Sequence, residues 1–125
     1  MSKIFLVEDD QYVSRVYERA FRLGGHEIEI LPDGESAWSA LSAAGTLPDV
    51  IILDIALPKM SGLELLGNIR KELRFGGVPI AVLSNSFDED MEKKSLAAGA
   101  NLFLIKIDHK PEELLGKIQA LINKT

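Results

Sequence analysis

Five times along this chain a short apolar run is followed by a segment whose apolar residues recur at helical spacing. No other feature limits the fold as strongly. The runs at 4–7, 26–31, 50–53, 78–83 and 102–105 are short and rich in Ile, Leu and Val, as strands are. Between them, residues 10–23 bring Val13, Val16, Tyr17, Ala20 and Phe21 to one helical face. Residues 35–44 are Ala-rich around Trp38 and Leu41, and 62–74 align Leu65, Leu66, Ile69 and Leu73. Residues 88–98 start with Asp88, Glu89 and Asp90, acids that suit the positive end of a helix dipole. Pro111 opens a final helix with Leu114, Leu115, Ile118, Leu121 and Ile122 inward. Gly24-Gly25, Gly76-Gly77 and Gly99 end helices, Pro32-Asp33-Gly34 is a turn, and Pro79 falls near a strand start, where a missing N–H is tolerated.

Strands alternating with helices imply a mostly parallel sheet covered on both faces, and residues 50–53 are apolar throughout, as a doubly buried strand requires. Right-handed crossovers leave a few doubly wound topologies. The expected fold is therefore α/β with five parallel strands, and residues 1–125 are expected to form one domain. At 46% hydrophobic and 26% charged the chain can bury a core, which excludes disorder. No apolar run nears the roughly 20 residues of a membrane span, and no secretory leader is read, so a soluble, cytoplasmic protein is expected. The absence of cysteine excludes disulfides and thiol chemistry, and a net charge of −5 argues against binding nucleic acid or anionic lipid.

Ligands of open α/β sheets sit at the carboxyl ends of the strands. There the chain carries Glu8, Asp9 and Asp10, then Asp54, then Ser84 with Asn85 and Ser86, then Lys106. If the first and third strands are neighbours, Glu8, Asp9 and Asp54 converge. Crowded carboxylates repel, and a hard divalent cation such as Mg²⁺ resolves the repulsion. Asp10 is read as a helix cap. Asp54 does not directly precede a helix, so capping does not account for it; a carboxylate there can act as a nucleophile on phosphorus. Beside such a cluster the Lys106 ammonium can pair with Asp54 and with phosphoryl oxygens, and Ser84 can donate to the same group.

These residues carry a resemblance. Val7-Glu8-Asp9-Asp10, the segment from Asp54 through Pro58 and Met60 to Gly62, Leu83-Ser84, Ala98-Gly99-Ala100 and Lys106 follow one another in the order seen in receiver domains of two-component response regulators. The likeness extends over nearly the whole chain. It implies a flavodoxin-like strand order 2-1-3-4-5. It also implies Asp54 as phosphoacceptor, and Glu8, Asp9, Asp54 and the Ala56 carbonyl as ligands of Mg²⁺ or Mn²⁺. Lys106 would pair with phosphate, and Ser84 and Phe103 would be the switch residues. The implied partner is a sensor histidine kinase or phosphotransfer protein. The implied readout is the surface of the fourth helix, fifth strand and fifth helix, also a candidate homodimer face. Four positions depart from the family pattern: Ile107 stands where proline is usual, Asn85 where a small residue is common, Ala56 lacks a polar side chain to orient water, and Phe103 lacks a hydroxyl.

Trp38 is expected to pack in the core or at its edge, His26 and His109 to lie at the surface, and Arg70, Lys71, Arg74, Lys93 and Lys94 to be solvated. Gly62 is expected to relieve backbone constraint where a helix begins. The leading expectation is a phosphoacceptor signalling module, not an enzyme acting on metabolites; the alternative is an unphosphorylated receiver serving as an interaction scaffold. A flavin carrier is disfavoured because Glu8-Asp9-Asp10 occupies the loop where a phosphate would need amides. An aspartate-nucleophile phosphatase of the haloacid-dehalogenase type would want a second aspartate at position 56, which is Ala56.

Overall fold

The computed structural model describes residues 2–106 and 109–124. Five strands, β1 (Lys3–Val7), β2 (Glu27–Leu31), β3 (Val50–Asp54), β4 (Ile80–Ser84) and β5 (Leu102–Ile105), alternate with α1 (Gln11–Leu23), α2 (Gly34–Ala43), α3 (Gly62–Lys71), α4 (Glu89–Ala97) and α5 (Pro111–Asn123). The sheet is parallel, in the order β2-β1-β3-β4-β5. Every residue of β3 and β4 is buried, as expected of central strands covered on both sides.

Period-two alternation sorts each strand between two cores. Phe5, Val7, Ile51, Leu53, Ile80 and Val82 face Leu41 of α2 and Leu65, Leu66 and Ile69 of α3. Ile4, Leu6, Val50, Ile52, Ala81 and Leu83 face Tyr17 and Phe21 of α1 and Leu114, Ile118 and Leu121 of α5. Trp38 packs half-buried on the first core, edge-on to Phe75 with ring centroids 6.5 Å apart, in agreement with the sequence reading.

Capping follows short-range chemistry. Asp10 accepts from the Tyr12 and Val13 amides, as expected of a cap. Asp33, Ser61 and Asp88 likewise cap α2, α3 and α4, so Asp88 stands just outside its helix and not in the first turn. Helices α1 and α4 each end in paired backbone bonds around a left-handed glycine, Gly25 at φ 88° and Gly99 at φ 115°.

The structure corrects several details. The third helix stops at Lys71, not 74; a 3-10 turn, Leu73–Phe75, follows. Leu73 consequently leaves the core stripe and is 95% exposed, while Phe75 is buried in its place. The fourth strand begins at Ile80, after Pro79, whose carbonyl still accepts from the Ile51 amide. Arg70 is not a solvated residue: its guanidinium donates to the carbonyls of Gly99 and Phe75 and to Asn101 Oδ1, all at 2.9–3.0 Å. Asn101 Oδ1 also accepts from the Ile80 amide, and the Asn101 amide donates to the Ile80 carbonyl. His26 and His109 are half-buried, the first beside Gln119 at 3.0 Å and the second with Nδ1 2.9 Å from the Ile105 carbonyl. Lys71, Lys93 and Lys94 are exposed as expected.

Candidate functional site

Parallel strands deliver their carboxyl ends to one rim, and the β1–β3 pairing puts the acids that follow them side by side. Asp54 closes β3 and is 3% exposed; Glu8, the first residue after β1, is 2% exposed; Asp9 is open to solvent. One carboxylate oxygen from each of Glu8, Asp9 and Asp54 lies within 4.8 Å of the others. The convergence expected from sequence is therefore present, graded from two buried acids to one exposed.

Lys106, directly after β5, reaches across this group. Its ammonium donates to Glu8 Oε1 at 2.5 Å and to Asp54 Oδ2 at 2.8 Å. The other Asp54 oxygen accepts from the Ala56 amide at 3.0 Å, and Glu8 Oε2 accepts from the Asp10 amide at 3.3 Å. Two buried carboxylates thus share one ammonium. Burial pushes the Glu8 carboxyl up to about 7; the Lys106 hydrogen bond opposes that rise, and the Asp54 charge adds to it. Burial alone would lower the Lys106 ammonium, but its bonds to Asp54 and Glu8 outweigh that, and it is raised. The cluster is short of positive charge.

Two glycine-sized contacts hold the adjoining loop. A Cβ at Gly62 would lie 2.2 Å from the Asp54 carbonyl oxygen, because α3 starts against the end of β3 and the Gly62 amide donates to the Ile55 carbonyl. Gly62 is therefore needed for space and not for backbone freedom; among the described glycines only Gly25 and Gly99 have positive φ. A Cβ at Gly34 would come within 2.8 Å of Met60, so the start of α2 braces the same loop. Between them Lys59 adopts φ 66°, within a tight turn closed by the Met60 amide on the Pro58 carbonyl.

Ser84 closes β4, but its hydroxyl donates to the Ser86 carbonyl at 2.8 Å and not to Asp54. Phe103 in β5 rests half-buried against the first core, paired in register with Val82. Ile107, which stands where the family usually has proline, lies outside the described residues. Sequence reading considered only the Ala56 carbonyl and missed its amide bond to Asp54; the short spacing of the two residues was the available signal. It also missed Arg70, for which no local pattern distinguishes a clamp from a solvated residue.

Comparison with known proteins adds independent findings. A family model described as response regulator receiver domain matches residues 4–119. Response regulator MprA of Mycolicibacterium vanbaalenii is 32% identical over 125 residues, covering 98% of this chain and 51% of that protein. The chain thus spans about half the length of the curated relatives it matches first. The Mn²⁺-bound form of response regulator Rcp1 aligns with a TM-score of 0.82 at 31% identity, over 96% of this chain and 91% of that one. The phosphorylated cyanobacterial phytochrome response regulator RcpA aligns with a TM-score of 0.82 at 31% identity, over 95% and 89%.

Proposed function

This chain belongs to the response regulator receiver domain family, and from that premise we propose that Asp54 accepts a phosphoryl group from a phosphohistidine of a sensor histidine kinase or phosphotransfer protein. The observation that carries this reading is the convergence of Glu8, Asp9 and Asp54 on one rim with a single ammonium bridging the two buried members. An Asp54 oxygen forms the new O–P bond as the N–P bond of the donor breaks, and the leaving imidazole nitrogen keeps the electron pair. Relatives known in Mn²⁺-bound and phosphorylated forms support the assignment.

The donor set fits a hard divalent cation: it is all carboxylate oxygen, and three acids, two of them buried, face a single ammonium. Glu8, Asp9 and Asp54, with the Ala56 carbonyl, would hold Mg²⁺ or Mn²⁺. When bound, the ion would offset the negative charge of the carboxylates and of the incoming phosphoryl oxygens.

The chain's own residues then respond to a new dianion on Asp54. Lys106 already touches Asp54 and turns its ammonium from Glu8 toward the phosphoryl oxygens. The Ser84 hydroxyl exchanges its bond to the Ser86 carbonyl for one to the phosphoryl group, drawing in the loop after β4. Phe103 moves into the space so vacated and alters the α4–β5–α5 surface, a population shift between two packings. The reading is of a signalling module whose only chemistry is on itself.

The test is incubation of wild type and Asp54→Asn with acetyl phosphate and Mg²⁺, followed by intact-mass measurement. A phosphoryl-sized gain in wild type alone is expected. Labelling of both would place the acceptor elsewhere; labelling of neither, with donor integrity confirmed, would favour the unphosphorylated scaffold.

A further inference from the structure

The residue after the proposed phosphoacceptor is held from two sides. The Ile55 amide donates to the Leu83 carbonyl of β4 at 2.9 Å, and the Ile55 carbonyl accepts from the Gly62 amide at 3.0 Å. Gly62 is the first residue of α3 and is buried. A Cβ there would overlap the Asp54 carbonyl oxygen and lie 2.7 Å from Ile55 Cα and 3.0 Å from the Asp54 carbonyl carbon. All three are backbone atoms, so no side chain can turn aside to make room. Helix α3 is not free to retreat, because Leu65, Leu66 and Ile69 are fully buried in the first core. An alanine at 62 therefore requires about 1 Å of movement. Ile55 is half-buried and Ala56 exposed, so the movement falls on the segment that follows Asp54. That segment aims the carboxylate: Asp54 Oδ1 accepts from the Ala56 amide at 3.0 Å, and Oδ2 accepts from Lys106 at 2.8 Å. Two other glycines set this contact apart. Gly67, also in α3, has nothing within 4 Å of its Cβ position, and Gly34 would meet Met60 Cβ at 2.8 Å, at the far end of the same loop. Of the three positions, the one at Gly62 bears on Asp54 itself.

We infer that Gly62 is a positioning residue for phosphoryl transfer. By letting α3 start in contact with the end of β3, it fixes where the Asp54 carboxylate and the Ala56 backbone stand. This role rests on the reading of Asp54 as phosphoacceptor, and it goes further in assigning the aim of the nucleophile to a residue that touches no phosphoryl group. Attack on phosphorus needs the carboxylate oxygen within a narrow range of distance and direction, and an error of about 1 Å costs about 100-fold in rate. The same backbone would present the Asp54 carboxylate and the Ala56 carbonyl to a divalent cation. Disturbing the groups that orient metal ligands weakens affinity by about 10–100-fold.

The experiment measures labelling by acetyl phosphate at saturating Mg²⁺ for wild type, Gly62→Ala, Gly34→Ala and Gly67→Ala. Each rate is divided by the folded fraction from urea unfolding, and the Mn²⁺ dissociation constant of each protein is measured by calorimetry. Gly62→Ala is expected to lower the maximal rate about 100-fold, with little change in the half-saturating acetyl phosphate concentration, and to weaken Mn²⁺ binding about tenfold. Gly67→Ala is expected to match wild type in both. Gly34→Ala is expected to lose stability but to react, per folded molecule, close to wild type. A wild-type rate or a wild-type Mn²⁺ affinity in Gly62→Ala would overturn the inference. Equal slowing by Gly34→Ala would also overturn it, since the effect would then be a general loosening of the loop. Should Gly62→Ala not fold, Ser61→Ala takes its place: it removes the hydroxyl that accepts from the Glu64 amide and frees the helix start without adding an atom. A slower rate is expected there, and an unchanged one would overturn the inference. If wild type is not labelled, the phosphoacceptor reading falls, and the Mn²⁺ comparison still decides the role of Gly62.

Discussion

Arg70 and Lys106 are both half-buried cations, and they are satisfied in opposite ways. Arg70 directs its guanidinium at three neutral oxygens, the carbonyls of Gly99 and Phe75 and the amide oxygen of Asn101. The end of α3, the 3-10 turn after it and the turn into β5 are thereby tied together. Gly99 presses against this clamp so closely that a Cβ there would fall 2.6 Å from Arg70 Cγ. Lys106 instead faces two buried carboxylates with a third nearby, and charge is left over. The first arrangement is complete and does structural work; the second holds negative charge that another cation or a proton can offset. A buried charge with matched neutral partners stiffens a fold, and one facing surplus opposite charge makes a site responsive to what binds.

The comparison can be tested directly, and the largest effect is expected at the clamp. Arg70→Ala removes three charged-donor bonds, the Phe75 carbonyl keeping only the Val78 amide and Asn101 Oδ1 only the Ile80 amide, which costs about 3 kcal/mol in urea unfolding, with little change between pH 5 and 8. Arg70→Lys keeps the charge but not the planar fork and should recover less than half of that loss. A clamp variant of near-native stability would show that the bonds do not hold these elements together.

Next in size is Glu8→Gln, expected to act through pH. With its folded value at about 7 against an ordinary 4.5, Glu8 keeps its proton in the folded protein after the unfolded chain has released it. This group therefore makes stability fall as pH rises from about 4.5 to 7, and the deficit persists above 7. Glu8→Gln should remove that fall, gaining on wild type by about 1–3 kcal/mol at pH 8 relative to pH 4 in metal-free buffer. Parallel stability–pH curves for the two proteins would refute a Glu8 carboxyl raised by its burial at this site.

A smaller effect is expected at Ser95, a fully buried residue of α4 whose hydroxyl has no partner among the described residues. Ser95→Ala should raise stability by about 1 kcal/mol, since an unpaired buried hydroxyl carries a desolvation cost that a methyl does not. The smallest is Lys93→Ala. It breaks an exposed pair with Glu89 at 3.3 Å and should shift the unfolding midpoint by no more than about 0.5 kcal/mol equivalent.

Much of the architecture was legible because its signals are local. Alternation of runs and helical stripes located all five strands and helices to within a few residues, and Pro111 marked the start of α5. The errors lie where local pattern and tertiary packing diverge. Leu73 fits the α3 stripe, but Glu72 turns to an extended conformation at φ −90° and ψ 119°, which sends Leu73 outward and Phe75 inward. Gly62 was read as a conformational device, yet its requirement comes from a neighbouring backbone eight residues earlier in the chain. The acids of the site were legible as types at strand ends. That Ser84 bonds to Ser86 and that Ala56 supports Asp54 through its amide are matters of orientation, which residue identity does not specify.

The residue order alone settles what depends on spacing over a few residues: strand and helix periods, the cap at Asp10, and the glycine ends of α1 and α4. It does not settle which distant groups meet. Lys106 touches Glu8 across 98 positions and Asp54 across 52, and Arg70 reaches Asn101 across 31. Those meetings depend on strand order and the packing of helices on the sheet. Hydrogen-bond and charge partners are selected within a few ångströms of space, a distance to which separation along the chain gives no guide.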